Sequence, residues 1–107
     1  MITVNITYYK GFIQQLTISG HSVYKSSGES LSIVCLAVSF LSRTATRFLQ
    51  KADKIHDIYI SDGFLQWKVR RLEYDPVVET SLDLLLLGLQ DLVSEWPDEL
   101  IIQTHEE

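Results

Sequence analysis

The sequence predicts a small α/β (α+β) domain: an antiparallel or mixed sheet built from two β-hairpins and packed with two main helices, in the order ββαββα(β). Two observations predict this class. Two stretches of alternating polarity are each divided by a short glycine-containing turn, and two longer stretches repeat apolar residues every three or four positions. A chain of 107 residues, 46% of them hydrophobic, is long enough to bury one core. We therefore expect one domain over residues 1–107.

The first hairpin is predicted from the alternation between Ile2 and Tyr8, where apolar side chains occupy every second position. Lys10 and Gly11 supply a tight turn. The second strand ends just before His21, and the residues expected to share its buried face are Phe12, Leu16 and Ile18.

The first helix is expected to run from Ser32, as its N-cap, to about Lys51. It follows a loop over residues 22–30 that has no apolar periodicity. The three- and four-residue spacing of apolar side chains predicts the buried face of the helix, which consists of Val34, Ala37, Val38, Leu41, Ala45 and Phe48.

The second half of the chain repeats the hairpin–helix pattern. Asp62 and Gly63 suit a two-residue turn between strands whose apolar residues are Ile58, Ile60, Leu65, Trp67 and Val69. Asp75 is a candidate N-cap and Pro76 fits the first helical position, so a second helix is expected to begin there and to end at Pro97. A short strand over residues 100–103 follows. The residues that the second helix is predicted to bury are Val78, Leu82, Leu85, Leu89, Leu92 and Trp96.

Both helices carry more apolar residues than one buried face requires. The additional residues are Leu36 and Phe40 in the first helix and Leu84 and Leu87 in the second. A thicker core would bury them, and so would a homodimer interface. The pattern leaves both interpretations open.

Charge and composition argue against several classes of function. The net charge of -5 and the pI near 5.1 disfavour direct binding to nucleic acid, which needs clustered Lys and Arg. The N-terminus has no signal-peptide pattern and the leucine run over residues 84–87 is too short for a membrane span. A single cysteine cannot form an internal disulfide, which favours a cytoplasmic location. No metal-ligand spacing or Gly-rich phosphate loop is present in the sequence, so we expect no metal and no cofactor.

Cys35 and His21 are the candidate catalytic residues. With Ser32 as N-cap, Cys35 is the third helical residue, where unpaired N–H groups and the helix dipole favour the thiolate, the nucleophilic form of a thiol. His21 leaves the second strand fourteen residues earlier, close enough in the chain for its imidazole to fold over the thiol. Ser39 lies one turn after Cys35 on the same side of the helix. Taken alone, a single helical cysteine is more often a small buried side chain.

In combination these motifs resemble those of the bacterial ribosomal-processing cysteine proteases. The likeness covers essentially the whole chain. It is carried by the opening Met1-Ile2-Thr3-Val4, by Gly20-His21-Ser22, by Ile33-Val34-Cys35-Leu36-Ala37-Val38-Ser39, by Leu87-Gly88-Leu89-Gln90-Asp91-Leu92, and by Glu95-Trp96-Pro97. The resemblance implies a small dimeric α/β enzyme that removes a short N-terminal extension from a large-subunit ribosomal protein, the twenty-seventh.

The same resemblance implies a role for each candidate residue. Cys35 is the nucleophile, and His21 is the base that takes the thiol proton and returns it to the leaving amine. Gly20 lets the backbone turn at the end of the strand, and N–H groups at the start of the cysteine helix face the developing oxyanion. The loop over residues 22–30 is then a lid over the peptide, and its candidate substrate contacts are Ser22, Tyr24, Gly28 and Glu29.

The sequence departs from the family pattern at Ser32, where an aspartate three residues before the cysteine is usual, and at Ser22, where alanine is usual. Serine retains the helix cap and lacks the negative charge. Two functions therefore remain. The first is a cysteine endopeptidase that trims the leader of a ribosomal protein. The second is a catalytically weak or inactive relative that binds a ribosomal or assembly partner as a dimer.

Overall fold

Seven elements follow one another in the described part of the chain. The structure, a computed structural model, describes residues 1–20, 33–70 and 73–107. The elements are β1 (Ile2–Tyr9), β2 (Phe12–Ser19), α1 (Ile33–Lys51), β3 (Ile55–Ser61), β4 (Phe64–Val69), α2 (Pro76–Glu95) and β5 (Leu100–Glu106). The predicted class and element order are confirmed. The last strand is longer than predicted because it pairs with β1 along its whole length.

The five strands form one mixed sheet in the order β3-β4-β2-β1-β5. Each hairpin is antiparallel and is closed by a two-residue turn, and the two hairpins join where β2 pairs antiparallel with β4, with Ile18 opposite Leu65. β5 lies parallel to β1, with Leu100 opposite Ile2. A parallel neighbour needs a long crossover connection, and α2 lies within the connection that brings the chain back to this edge.

A β-bulge changes the face that the start of β2 presents to the core. Thr7 pairs with Gln15 and Tyr8 with Ile13, so one residue of β2 is left without an opposite residue. As a result Ile13 is buried and Phe12 is 38% exposed. The prediction that Phe12 shares the buried face of Leu16 and Ile18 was therefore wrong, because strict alternation does not anticipate an inserted residue.

One face of the sheet packs on the helices and the other carries polar side chains. The polar face includes a hydrogen bond from Thr17 Oγ1 to Gln66 Oε1 of 3.2 Å and a contact of 2.9 Å between His105 Nε2 and Asn5 Oδ1. The buried residues of the apolar face come from all five strands and are Ile2, Val4, Ile6, Ile13, Leu16, Ile18, Ile55, Trp67, Val69 and Leu100. The protein is thus a two-layer α+β fold.

The buried face of α1 is rotated relative to the predicted one. Phe48 is 50% exposed, whereas Ser42 and Thr46 are buried with Val34, Val38 and Leu49. Each buried hydroxyl has a partner: Ser42 Oγ donates to Val38 O, Thr46 Oγ1 donates to Ser42 O, both at 2.7 Å, and Trp67 Nε1 donates to Thr46 Oγ1 at 3.0 Å. A hydroxyl that is hydrogen-bonded in this way can be buried without a large penalty.

The predicted start of α2 is confirmed. Asp75 is the N-cap, its carboxylate accepts from the N–H groups of Val77 and Val78, and Pro76 occupies the first turn. Lys54 Nζ lies 2.8 Å from Asp75 Oδ2, and this hydrogen bond is the main cause that lowers the pKa of Asp75. The cap therefore also ties α2 to the residue that precedes β3.

The additional apolar residues of the helices are not part of the core. Leu84 is 66% exposed, Leu87 58%, Phe40 61% and Leu36 38%, so the thicker-core interpretation is wrong for these side chains within one chain. By contrast, the predicted stripe of α2 is buried at Val78, Leu82, Leu85 and Leu89. In the described ranges, neither helix is long and apolar enough to cross a membrane.

Candidate active site

The candidate nucleophile lies in the first turn of α1. The helix begins at Ile33, so Cys35 is its third residue, as the sequence predicted. The first N–H groups of a helix have no partner inside the helix and carry its positive partial charge. The Cys35 side chain is half-buried, and it packs at the edge of the core formed by the sheet and the helices. Cys35 therefore lies at the end of the helix where an anion is stabilised.

The backbone is held in place at the end of β2, the strand that precedes His21. Gly20 adopts φ +98°, a conformation that side chains with a Cβ rarely adopt, and a Cβ here would overlap the backbone carbonyl of Met1. The N–H of Gly20 donates to the carbonyl of Gly63 at 3.1 Å. The end of β2 is therefore held between the start of β1 and the turn of the second hairpin, which agrees with the predicted role of Gly20.

A cleft of about 470 Å³ brings these elements together. One wall is α1, which contributes Cys35 and Ser39, and Gly20 lines the cleft at the end of β2. The opposite wall is the turn between β3 and β4, where Asp62 and Gly63 lie. Among the described residues, no group of three His, Cys, Asp or Glu side chains is placed to hold a metal ion.

Six of the predicted site residues lie outside the described residues: His21, Ser22, Tyr24, Gly28, Glu29 and Ser32. The structure therefore brings together three predicted site residues, Cys35, Gly20 and Ser39. The Cys–His pair, the lid and the serine cap stay predictions from the sequence.

The sequence analysis missed several residues that line the cleft. Arg43, Arg47 and Gln50 come from α1, and Asp62 comes from the hairpin turn. A signal for the arginines was present, because Cys35, Ser39, Arg43 and Arg47 are spaced four residues apart and so lie along one side of a helix. For Asp62 there was none, since only the pairing of β4 with β2 brings its turn to α1.

In a comparison with protein families, residues 1–101 match the model of the cysteine protease Prp. The chain belongs to the Prp family of cysteine proteases. The family resemblance read from the sequence motifs is thereby confirmed. A comparison with curated proteins finds no match.

Solved structures share the Prp fold. The Staphylococcus aureus ribosomal processing protease Prp, in complex with a covalently linked product peptide, gives a TM-score of 0.81 at 22% identity, over 97% of this chain and 99% of that chain. Its complex with a substrate peptide gives the same TM-score at 20% identity and the same coverage. A Streptococcus mutans protein gives 0.76 at 22% identity, over 100% of this chain and 96% of that chain. At these identities the likeness establishes the α+β fold.

Proposed function

We propose that this protein is a cysteine endopeptidase that trims the N-terminal extension of a large-subunit ribosomal protein, the twenty-seventh. The observation that carries the proposal is the position of Cys35, which lies in the first turn of α1 and lines the cleft. Gly20, the residue immediately before His21, lines the same cleft. Membership of the Prp family and the peptide complexes of the S. aureus protease support the same reaction class.

The proposed reaction has two steps. His21 takes the proton of Cys35, and the thiolate attacks the scissile carbonyl carbon, forming a C–S bond while N–H groups at the start of α1 stabilise the oxyanion. The C–N bond then breaks and the leaving amine takes the proton from His21. In the second step His21 removes a proton from water, the hydroxide attacks the thioester, and the Cys35 thiolate leaves.

Ser32 and Ser39 supply the polar surroundings in this proposal. Ser32 stands where the family usually has aspartate, and a serine at a helix N-cap adds no negative charge. Ser39 lines the cleft one helical turn after Cys35, where its hydroxyl can hydrogen-bond the peptide or the imidazole. We therefore expect catalysis by the Cys–His pair without an acidic third member.

The test is cleavage of a peptide that spans the leader junction of the host's own ribosomal protein, followed by mass spectrometry. The wild type is expected to cut once, and Cys35→Ala and His21→Ala are expected to lose cleavage. His105→Ala is the matched control for the histidine, since His105 is exposed on β5 and does not line the cleft. Equal cleavage by Cys35→Ala and wild type would remove the thiol from the mechanism.

A second candidate function is a binding module with little or no activity, and Ser32 in place of the family's aspartate is the observation that favours it. In this case the wild type binds the leader peptide and leaves it intact. Fluorescence anisotropy with a labelled peptide separates the two functions. Binding by both the wild type and Cys35→Ala, with no product after long incubation, identifies the binding module.

We also propose that the protein is a homodimer formed through a groove between α1 and α2. The groove has a volume of about 760 Å³. The described residues that line it include no charged side chain and are Phe40, Leu41, Thr44, Ala45, Phe48, Pro76, Val77, Thr80, Ser81, Leu84 and Leu85. Several of these side chains are large, apolar and exposed, as expected of the central part of an interface.

Light scattering after size exclusion tests the dimer. Wild type is expected at twice the 12.3 kDa mass of the chain, and Leu84→Glu at the monomer mass. Tyr59→Glu is the control, because Tyr59 is 60% exposed on β3 and lines neither the groove nor the cleft. A monomeric wild type would refute the proposed interface.

We further propose that the protein is located in the cytoplasm, where ribosomal proteins are made. The single cysteine, which cannot form an internal disulfide, favours this location. Cell fractionation with detection of the endogenous protein tests it. Recovery in the membrane or secreted fraction would contradict the proposal.

A further inference from the structure

The cleft does not end at the thiol. It continues along α1, where Ser39, Arg43 and Arg47 follow Cys35 at four-residue intervals and all line the cleft. With a rise of about 1.5 Å per residue, Arg43 lies roughly 12 Å and Arg47 roughly 18 Å from Cys35 along the helix axis. The two arginines therefore belong to the part of the cleft that is distant from Cys35, and Gln50 continues this part further along α1.

The distant end of the cleft is positively charged in a chain whose net charge is -5. Among the described residues, the charged side chains that line the whole cleft are Arg43, Arg47 and Asp62. Asp62 belongs to the hairpin turn whose Gly63 carbonyl accepts from the N–H of Gly20. Within the described residues, no carboxylate forms an ion pair with either arginine. The Arg43 guanidinium carbon lies 6.0 Å from the centre of the Phe40 ring, at the outer limit of a cation–π contact.

Three other basic residues of the described chain have acidic partners. Lys54 pairs with Asp75 at 2.8 Å, Lys68 lies 3.8 Å from Asp57, and Arg70 lies 3.7 Å from Asp53. Basic side chains without an internal acidic partner, at the end of a cleft, can bind an external anion. A planar guanidinium binds a carboxylate with two parallel hydrogen bonds.

We infer that Arg43 and Arg47 form a subsite for a carboxylate of the peptide substrate, about four to five residues from the scissile bond. An extended peptide rises roughly 3.3 Å per residue, so 12 to 18 Å corresponds to about four to five residues. This inference rests on the proposed function, because the count begins at the bond that Cys35 attacks. The carboxylate is an Asp or Glu side chain, because the leader itself ends in an amino group and the chain beyond the cut continues into the mature protein.

The subsite is tested with leader-junction peptides that carry Glu, Gln or Lys at one position, scanned from the third to the sixth residue on each side of the cut. Wild type is expected to prefer Glu over Gln by roughly three- to tenfold in kcat/KM at one or two adjacent positions and to disfavour Lys. The preference is expected to shrink at high salt.

Variants assign the preference to the two arginines. Arg43→Gln with Arg47→Gln is expected to remove the preference for Glu, and Arg43→Glu is expected to reverse it in favour of Lys, which a purely structural role would not do. Arg70→Gln is the control, because Arg70 does not line the cleft. Both arginines are exposed, so the variants are expected to fold, and circular dichroism checks this.

Binding to the Cys35→Ala variant, measured by anisotropy with the same peptides, keeps this inference separate from the proposed function. Cleavage of the Glu, Gln and Lys peptides at equal rates overturns the proposed subsite and is consistent with the proposed protease activity. Preferential binding of the Glu peptide without cleavage by wild type supports the subsite and overturns the protease. Absence of both binding and cleavage overturns both.

Discussion

The replacement Thr46→Val tests the contact between α1 and the sheet beneath the cleft. Thr46 is 2% exposed and Trp67 is fully buried, and the indole N–H donates to Thr46 Oγ1 at 3.0 Å. Valine has nearly the same shape as threonine, so the change removes the acceptor without opening a cavity. The carbonyl of Ser42, which also accepts from the Thr46 hydroxyl at 2.7 Å, keeps its helical N–H donor and loses little.

The expected cost of Thr46→Val is the desolvation of an indole N–H that no longer has a partner. A buried unsatisfied donor of this kind costs about 1–3 kcal/mol of the free energy of unfolding. With a urea m-value of about 1–3 kcal/mol/M for a protein of this size, a loss near 2 kcal/mol lowers the urea midpoint by roughly 1 M. Urea unfolding followed by tryptophan fluorescence and by circular dichroism measures it.

Two comparisons decide whether the hydrogen bond is the cause. Thr44→Val, at an exposed position of the same helix, is expected to change stability by less than about 0.5 kcal/mol. In a Trp67→Phe background the donor is absent, so Thr46→Val should cost much less than in wild type. If Thr46→Val costs no more than Thr44→Val, or costs the same with and without the indole, the hydrogen bond does not hold α1 on the sheet.

Three further predictions concern the fold around the site. Gly20→Ala is expected to lose about 1–3 kcal/mol of stability in urea unfolding, and more than Gly11→Ala, because both positions have positive φ but only at Gly20 does the added Cβ meet backbone. Leu49→Ala removes a fully buried side chain and is expected to cost about 2–5 kcal/mol in the same assay, whereas a loss below 1 kcal/mol would contradict its place in the core. The pKa of Asp75 is lowered, so the stability that its carboxylate contributes is present above its ordinary pKa and is lost as the pH falls through the lowered value. Asp75→Asn retains a capping oxygen but does not titrate, so it should flatten the acid side of a plot of stability against pH. An unchanged plot would refute this.

Local signals in the sequence predicted the strands and helices but did not predict the order of the strands in the sheet. The two glycine turns and the Asp75-Pro76 pair are short-range features, and each strand or helix they delimit is found. The pairing of β2 with β4 and the parallel position of β5 depend on contacts between distant segments. Hydrophobic periodicity says which face of a strand is buried and does not say which strand lies beside it.

The errors in the predicted faces have chemical causes. On α1, the spacing of apolar residues predicts that Phe48 is buried and does not predict the burial of Ser42 and Thr46. Burial of a hydroxyl depends on hydrogen-bond partners that the sequence does not reveal. On β2, the bulge moves Ile13 inward and Phe12 outward. Both differences arise from hydrogen bonds that form only in the folded chain.

In the candidate site, too, local features were predictable from the sequence and contacts between distant segments were not. The position of Cys35 followed from a helix start that local residues define. Arg43 and Arg47 lie on the same side of the helix, but their place in a cleft depends on the wall that Asp62 and its hairpin turn supply. The sequence therefore predicted the part of the cleft that holds Cys35 and not the part that holds the two arginines.

The helix α1 connects the proposed dimer groove to the proposed substrate subsite through one side chain. Phe40 lines both the groove and the cleft and is 61% exposed in a single chain. A second chain seated in the groove would restrict the Phe40 ring, and the ring lies beneath the guanidinium of Arg43. Since less rotational freedom is then lost when a peptide binds, dimer formation would order one wall of the cleft before the substrate arrives. This coupling is a physical reason for the proposed protease to act through the proposed dimer.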